Sequence, residues 1–291
     1  MIREITAKTL LQTVRQPDPW FGLKYSFNLY RGCQHQCIYC DSRSECYQIE
    51  DFNHDVLVKV NAIELLEREL AHKRVVGTIG TGSMNDPYMP LEASRGLTQR
   101  ALQVIAAARF PVHIITKSDL VLRDLLLLKQ INKVYAAVSI SITTAEDELS
   151  RKLEPGAPPS SARFRALEIL ALNGIPCGVT MMPLLPFLED SLENMEAILS
   201  RAAACGARYV LPAFGLTLRD RQRAYFYAQL ERLFPGLREQ YEQRYGERYQ
   251  ANSPQAPRLR QAFGELLQKY ALAGEMPKYR VEQEAVQMGL F

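Results

Sequence analysis

Arg31-Gly32-Cys33-Gln34-His35-Gln36-Cys37-Ile38-Tyr39-Cys40 is the stretch on which the reading of this chain turns. Three cysteines stand at the spacing C-x3-C-x2-C, half of the chain's six within eight residues. A thiolate is a soft ligand suited to iron-sulfur clusters or zinc. Zinc sites usually pair C-x2-C with a second pair downstream, and no second pair exists here. A structural zinc on Cys33, Cys37, Cys40 and the nearby Cys46 is one reading. A [4Fe-4S] cluster on Cys33, Cys37 and Cys40 is the other; because such clusters usually take four cysteines, three leave one iron open.

The residues before the loop give it a place. Lys24–Tyr30 alternates polar and apolar side chains and predicts a first strand, so the cysteines follow the strand's C-terminal end. A helix is expected over 58–73, with Val60, Ile63, Leu66 and Leu70 on one face. Then come a strand at Val75–Ile79, a loop Gly80–Ser83, a helix over 94–109 and a strand Val112–Thr116. Asp119 is expected to cap a helix over 120–131. A strand Val134–Ile142, helices near 145–152 and 160–173, a strand Cys177–Met182, a helix over 191–205 and a strand Arg208–Ala213 complete the run. Strand and helix alternating six times calls for a parallel sheet with crossover helices. The fold class is therefore α/β, a partial (β/α)6 TIM-type barrel with a C-terminal helical extension. Loops rich in Gly, Ser, Thr, Pro or acids follow the strands, where α/β barrels carry reactive groups.

The domains read as a leader over 1–24, a core over 25–215 and a helical extension over 216–291. In the leader, Gln16-Pro17-Asp18-Pro19-Trp20 predicts a turn, and Trp20 a packed cap over the core. Between 217 and 260 nine arginines face five acids, interleaved with tyrosines. Arg and Tyr so mixed can bind phosphates and stack bases, which makes a nucleic-acid substrate a candidate; solvated amphipathic helices are the plainer account. Apolar residues make up 47% and charged ones 23%, with a net charge of +3, ordinary for a soluble enzyme and too small to name a partner. The chain begins without an apolar signal segment and holds no run of 18 apolar residues, so no membrane span is expected and a cytoplasmic location is.

On these motifs the chain resembles the radical SAM superfamily. C-x3-C-x2-C with an aromatic before its last cysteine, after a first strand and ahead of an α/β barrel, carries the resemblance. More narrowly it looks like the spore photoproduct lyase-like branch. The pieces are Asn28–Cys33, Tyr39-Cys40, Asn85–Glu92, Ile115–Ser118 with Leu122-Arg123-Asp124, Ser139–Ser141, Leu153-Glu154-Pro155, Gly174-Ile175-Pro176 and Met182–Pro186. The resemblance implies a [4Fe-4S] cluster and S-adenosylmethionine (SAM), whose methionyl group chelates the open iron. One electron, from a flavodoxin- or ferredoxin-type reductant, then yields methionine and a 5′-deoxyadenosyl radical that abstracts hydrogen. It also implies Cys33, Cys37 and Cys40 as ligands, with Tyr39 near the adenine. Lys117 would hold the methionyl carboxylate, Asp86 would meet the ammonium or ribose, and Ser139 and Ser141 would bond cofactor polar groups. Asp41, Tyr88 and Glu154 are the candidates for substrate chemistry.

Two departures qualify the branch. Photoproduct lyases carry a hydrogen-donor cysteine at the end of the second strand, where this chain has Gly82-Ser83-Met84, and a tyrosine after the third ligand, where it has Asp41. A serine O–H is too strong to replace that donor. Cys177 is a candidate stand-in, with a buried packing role as the alternative. The same radical initiator is thus expected to serve another substrate. The competing account is a zinc-stabilised nucleic-acid-binding protein without enzymatic activity.

Overall fold

The structure is a computed structural model that describes residues 1–16, 18–52, 54–82 and 84–280. Pro17 of the expected turn, Ser83 at the donor position and the last eleven residues of the expected extension lie outside the described residues.

Strands run in the order β1 (Ile2–Ile5), β2 (Gln12–Thr13), β3 (Tyr25–Ser26), β4 (Tyr30–Arg31), β5 (Val56–Lys59), β6 (Ile79–Thr81), β7 (Val112–Thr116), β8 (Ala136–Ser141), β9 (Cys177–Met181), β10 (Tyr209–Pro212), β11 (Gly215–Thr217) and β12 (Gln250–Asn252). The central sheet has the order β10-β9-β8-β7-β6-β3-β2. Five successive pairings, from β3–β6 to β9–β10, are parallel. Only β2, on the far edge, runs antiparallel. Among the described residues no pairing joins β10 to β2, so the sheet is open. β8 is buried along its whole length, as a parallel strand covered on both faces must be.

Helices cover the sheet: α1 (Ala62–Ala71), α2 (Glu92–Arg95), α3 (Leu97–Ala107), α4 (Leu125–Ile131), α5 (Asp147–Leu153), α6 (Ser160–Leu172) and α7 (Leu192–Ala204). After them come α8 (Asp220–Leu233), α9 (Leu237–Tyr245) and α10 (Ala256–Lys269). The tail also contains a hairpin, because β11 and β12 pair antiparallel. Phe226, Leu230 and Tyr241 of this region pack in one cluster with Cys37, Ile38 and Tyr39. The C-terminal helices therefore close over the cysteine loop. No described helix is long and apolar enough to cross a membrane.

Several local expectations are corrected. The alternating run at 24–30 makes two short strands. Tyr25–Ser26 pairs with β6, while Tyr30–Arg31 joins a small sheet with β5 and β1. The helix expected over 58–73 begins at Ala62, since Val56 and Val58 alternate into the core as a strand and Val60 is 40% exposed. The strand expected at 75–79 is Ile79–Thr81 instead, which takes Gly80 and Thr81 out of the expected loop. The helix expected over 94–109 breaks at Gly96 in a left-handed conformation. The cap before 120 is Ser118, whose hydroxyl accepts from Leu120 N–H, and a 3-10 segment precedes α4. Trp20 is 43% exposed and caps no core.

Candidate active site

The C-terminal ends of the parallel strands open into a cavity of about 470 Å³. Its lining brings together Cys33, Cys37, Cys40, Tyr39, Asp86 and Lys117, residues far apart in the chain. Inward-facing positions of β7 and β8 supply Ile115 and Ser141, and the loop after β6 supplies Met84 and Asn85. This volume is typical of a small-molecule site.

The cysteine loop is held from several sides. Gly32 has φ +85°, and a Cβ there would stand 2.3 Å from the Asp55 carbonyl oxygen, so only glycine permits the turn into the loop. Gly156 N–H donates to the His35 carbonyl at 2.9 Å, and the His35 ring (Nδ1) bonds the Gly156 carbonyl at 3.0 Å. Gln34 accepts from Leu91 N–H at 2.6 Å. The three thiols are free. Burial pushes Cys33 up to about 12, Cys37 well above the ordinary thiol value, and Cys40 upward.

Asp86 braces the floor. Its Oδ1 accepts from Tyr88 N–H at 2.9 Å and Thr116 O–H at 2.6 Å. Its Oδ2 accepts from Lys117 N–H at 2.6 Å and stands 3.0 Å from His35 Nε2. Burial would raise this carboxyl, but His35 and the hydrogen-bond donors overcome it and hold the group at about 2. With three hydrogen bonds accepted and His35 beside it, Asp86 positions the loops rather than standing free for a cofactor ammonium. Beside it, Asn85 Oδ1 is buried with no hydrogen-bond partner among the described residues. Asn85, a cavity residue, is the acceptor that a ligand's N–H or O–H can meet.

Lys117, directly after β7, is a cation of the cavity wall. Its Nζ lies 3.7 Å from Glu154 and 5.8 Å from the Tyr39 ring centroid. Burial disfavours its charge, but Cys37 and Glu154 outweigh burial and raise its pKa. Glu154 itself stands behind the lining. It pairs with Arg163 at 2.5 Å, both side chains 1% exposed, and it accepts the Tyr39 hydroxyl. Against burial, Arg163 and then Lys117 hold the Glu154 carboxyl below its ordinary value. The expected substrate contact of Glu154 is thus replaced by a buried brace under Tyr39 and Lys117.

The structure separates other candidates. Ser141 lines the cavity with its hydroxyl 2.9 Å from Thr180 Oγ1. Ser139 shares its side of β8 but lies a layer deeper, between His113 Nε2 and the Tyr209 hydroxyl, each at 2.8 Å. Tyr88 is fully buried outside the lining, its hydroxyl donating to Asp124 at 3.1 Å. Asp41 is in the lining, accepting from Thr217 O–H at 2.9 Å and paired with Arg219 at 2.8 Å. Cys177 sits at the opposite, N-terminal end of β9, its thiol donating to the Leu167 carbonyl, so it packs and cannot serve the cavity. Cys46 is exposed, accepting from Ser44 and Arg219. Among the described residues, no three His, Cys, Asp or Glu side chains are grouped as one metal ion would require.

The tail contributes what sequence reasoning missed. Thr217, Gln250, Asn252 and Arg260 line the cavity mouth, next to Phe214 at the end of the core. Many of the arginines read as a basic face are engaged. Arg219 pairs with Asp41, Arg223 with Glu247 and Arg238 with Glu242. Arg221 donates to the Arg43 carbonyl. No periodicity marks Arg260 or Asn252, because only the hairpin and α10 bring them to the site.

The sequence matches the Radical SAM superfamily over residues 27–199. The chain belongs to the radical SAM superfamily. Its relatives include an uncharacterized protein of Mycobacterium tuberculosis, 34% identical over 97% of this chain and 84% of that protein. Another, from Methanocaldococcus jannaschii, is 35% identical over 65% of this chain and 70% of that protein. The structure of a spore photoproduct lyase complexed with a dinucleoside spore photoproduct superposes with a TM-score of 0.69, covering 94% of this chain and 80% of that one. At 15% identity this likeness shows the fold alone. A radical SAM protein with this site is an enzyme, so the reading as a non-enzymatic zinc protein falls.

Proposed function

We propose that this radical SAM enzyme holds a [4Fe-4S] cluster on Cys33, Cys37 and Cys40, with SAM beside it, in a sheet that forms a partial (β/α)6 barrel. The observation that carries the reading is one cavity at the strand ends lined by all three motif cysteines, Lys117 and Asn85. Three buried soft donors on one loop, with no fourth cysteine lining the cavity among the described residues, fit a cluster that keeps one iron open. The unpartnered Asn85 Oδ1 fits a ligand donor. A photoproduct lyase variant of the same fold has been solved with bound AdoMet, which supports the cofactor choice. When bound, the cluster and SAM supply one-electron reductive chemistry that ends in hydrogen abstraction.

The protein's own residues prepare the place. Lys117 holds the methionyl carboxylate, a role suited to a buried cation kept charged by Cys37 and Glu154. Tyr39, fixed by Glu154, walls the adenine side. Ser141 offers a hydroxyl, and Asn85 takes over the ammonium or ribose contact expected of Asp86. The α8–α10 region closes the site from water, which protects a reactive intermediate. A one-electron protein reductant of the flavodoxin or ferredoxin type feeds the centre. At the mouth, Gln250 and Asn252 beside Arg260 call for a polar substrate with an anionic group, and a nucleic acid meets that demand through its phosphates. With Asp41 paired to Arg219 and no cysteine beyond the three cluster ligands in the described lining to donate hydrogen, the reaction differs from photoproduct repair.

Anaerobic reconstitution with iron and sulfide tests the reading. The expected result is a brown protein with broad visible absorption that forms 5′-deoxyadenosine from SAM on reduction, both lost in Cys37→Ala. Wild-type protein that binds one zinc and no iron would sink it.

A further inference from the structure

We propose that Arg43 is the fixed counter-charge of the cluster, held there by helix α8, and that it raises the cluster's reduction potential. The inference rests on the cluster reading above. Arg43 follows Cys40 by three residues and is 4% exposed. Its guanidinium carbon lies 3.6 Å from the Tyr225 ring centroid and 4.6 Å from that of Phe52. Nε donates to the Cys37 carbonyl at 3.4 Å. The guanidinium is thus dry, stacked on aromatic faces and placed at the back of the ligand loop.

Helix α8 holds this arrangement through successive residues. Arg221 Nε donates to the Arg43 carbonyl at 2.6 Å. Asp220 accepts from the Ser44 hydroxyl at 2.9 Å and from Glu45 N–H at 3.1 Å. Gln222, fully buried, donates to the Tyr39 carbonyl at 3.0 Å. Tyr225, one turn on, supplies the ring beneath Arg43. An apolar helix face would suffice to cover the loop. Polar side chains matched one by one to the segment 39–45 instead fix the position of a charge.

Burying a cation is costly unless an opposite charge lies near. Thiolates of Cys37 and Cys40 carrying a cluster add negative charge near it, beside the partners it already has. Reduction adds one negative charge to the cluster, and a dry cation nearby favours the reduced form, as net charge and solvent exposure set such potentials. Two unit charges about 10 Å apart at an effective dielectric near 20 shift an equilibrium by about tenfold. Arg43 is a positioning residue in this sense, since it acts on the cofactor's charge without touching substrate.

The test is an anaerobic potentiometric titration of the reconstituted full chain, followed by electron paramagnetic resonance, with iron and sulfide counted in each variant. Arg43→Met is expected to lower the reduction equilibrium about tenfold, or 59 mV for one electron. Arg43→Lys, which keeps the charge, is expected to recover most of that shift; a purely structural arginine would leave both variants alike. Tyr225→Leu keeps the cation but admits water, and is expected to fall between wild type and Arg43→Met. An Arg43→Met protein with full iron and an unchanged midpoint overturns the proposal. If that variant takes up no iron, Tyr225→Leu decides, and an unchanged midpoint there overturns it equally. Wild-type protein without iron refutes the cluster reading itself, a separate failure.

Discussion

Glu154→Gln isolates the brace beneath Tyr39 and Lys117. In the native chain Glu154 and Arg163 face each other at 2.5 Å, each side chain 1% exposed, and Lys117 stands 3.7 Å from the same carboxylate. Removing one partner of a buried pair costs roughly 3–5 kcal/mol, because the other charge is left without compensation. Arg163 keeps hydrogen bonds to the Pro158 carbonyl at 2.7 Å and the Ser141 carbonyl at 3.0 Å, which places the cost near the lower end, about 3 kcal/mol. For a chain of this size that is a fall of roughly 6–12 °C in Tm. The assay is urea unfolding of cluster-free protein at pH 7, followed by circular dichroism. Arg163→Met and the double variant complete a cycle, and the double is expected to cost about 1–3 kcal/mol less than the summed singles. The pH dependence has a definite sign. Glu154 is held below its ordinary carboxylate value, so its contribution is present above that value and is lost as pH falls through the depressed one. The gap between wild type and Glu154→Gln therefore closes in acid. A loss under about 1 kcal/mol, or an additive cycle, would refute the brace.

Three further outcomes follow from the same geometry. Glu189 is fully buried, and burial, reinforced by Glu154, lifts its carboxyl to about 8 against the Thr143 hydrogen bond. A raised carboxyl contributes stability below its ordinary value and loses it as pH rises through the folded value. Wild type is thus expected to lose on the order of 4 kcal/mol between pH 4.5 and 8 through this group, and Glu189→Gln to flatten that slope in urea titrations. Gly156→Ala would set a Cβ 2.1 Å from the Gln34 carbonyl oxygen, forcing the cysteine loop to shift; the expected result is a large loss of bound iron after reconstitution. Tyr88→Phe removes one hydroxyl bond to Asp124, so it is expected to cost about 1 kcal/mol in unfolding while 5′-deoxyadenosine formation stays at the wild-type rate.

What could be read without the fold follows the distance over which each interaction acts. Val112–Thr116 and Cys177–Met181 announce themselves because a strand covered on both faces is apolar over its own few residues. The alternation at Lys24–Tyr30 was equally plain as extended chain, yet it could not say that Tyr25 pairs with β6 and Tyr30 with β5, since partner choice lies outside the segment. The site divides the same way. Cys33, Cys37, Cys40, Tyr39 and Lys117 carry local patterns and meet in one cavity. Glu154 and Asp86 have local patterns too, but their roles reversed once their partners were known. Glu154 meets Tyr39 from 115 residues away, and Asp86 meets His35, Thr116 and Lys117. Each carboxylate had looked available because its donors sit on other strands and loops. The arginine-rich tail shows the same limit from the other side. Its composition suggests a phosphate-binding face, but a residue's charge does not say which way it points: Arg219, just before helix α8, and Arg221, Gln222 and Tyr225 on it turn inward to residues 39–49. A basic tail packed on the cysteine loop is a means of holding that loop in place, and Arg260, on α10, reaches the cavity lining.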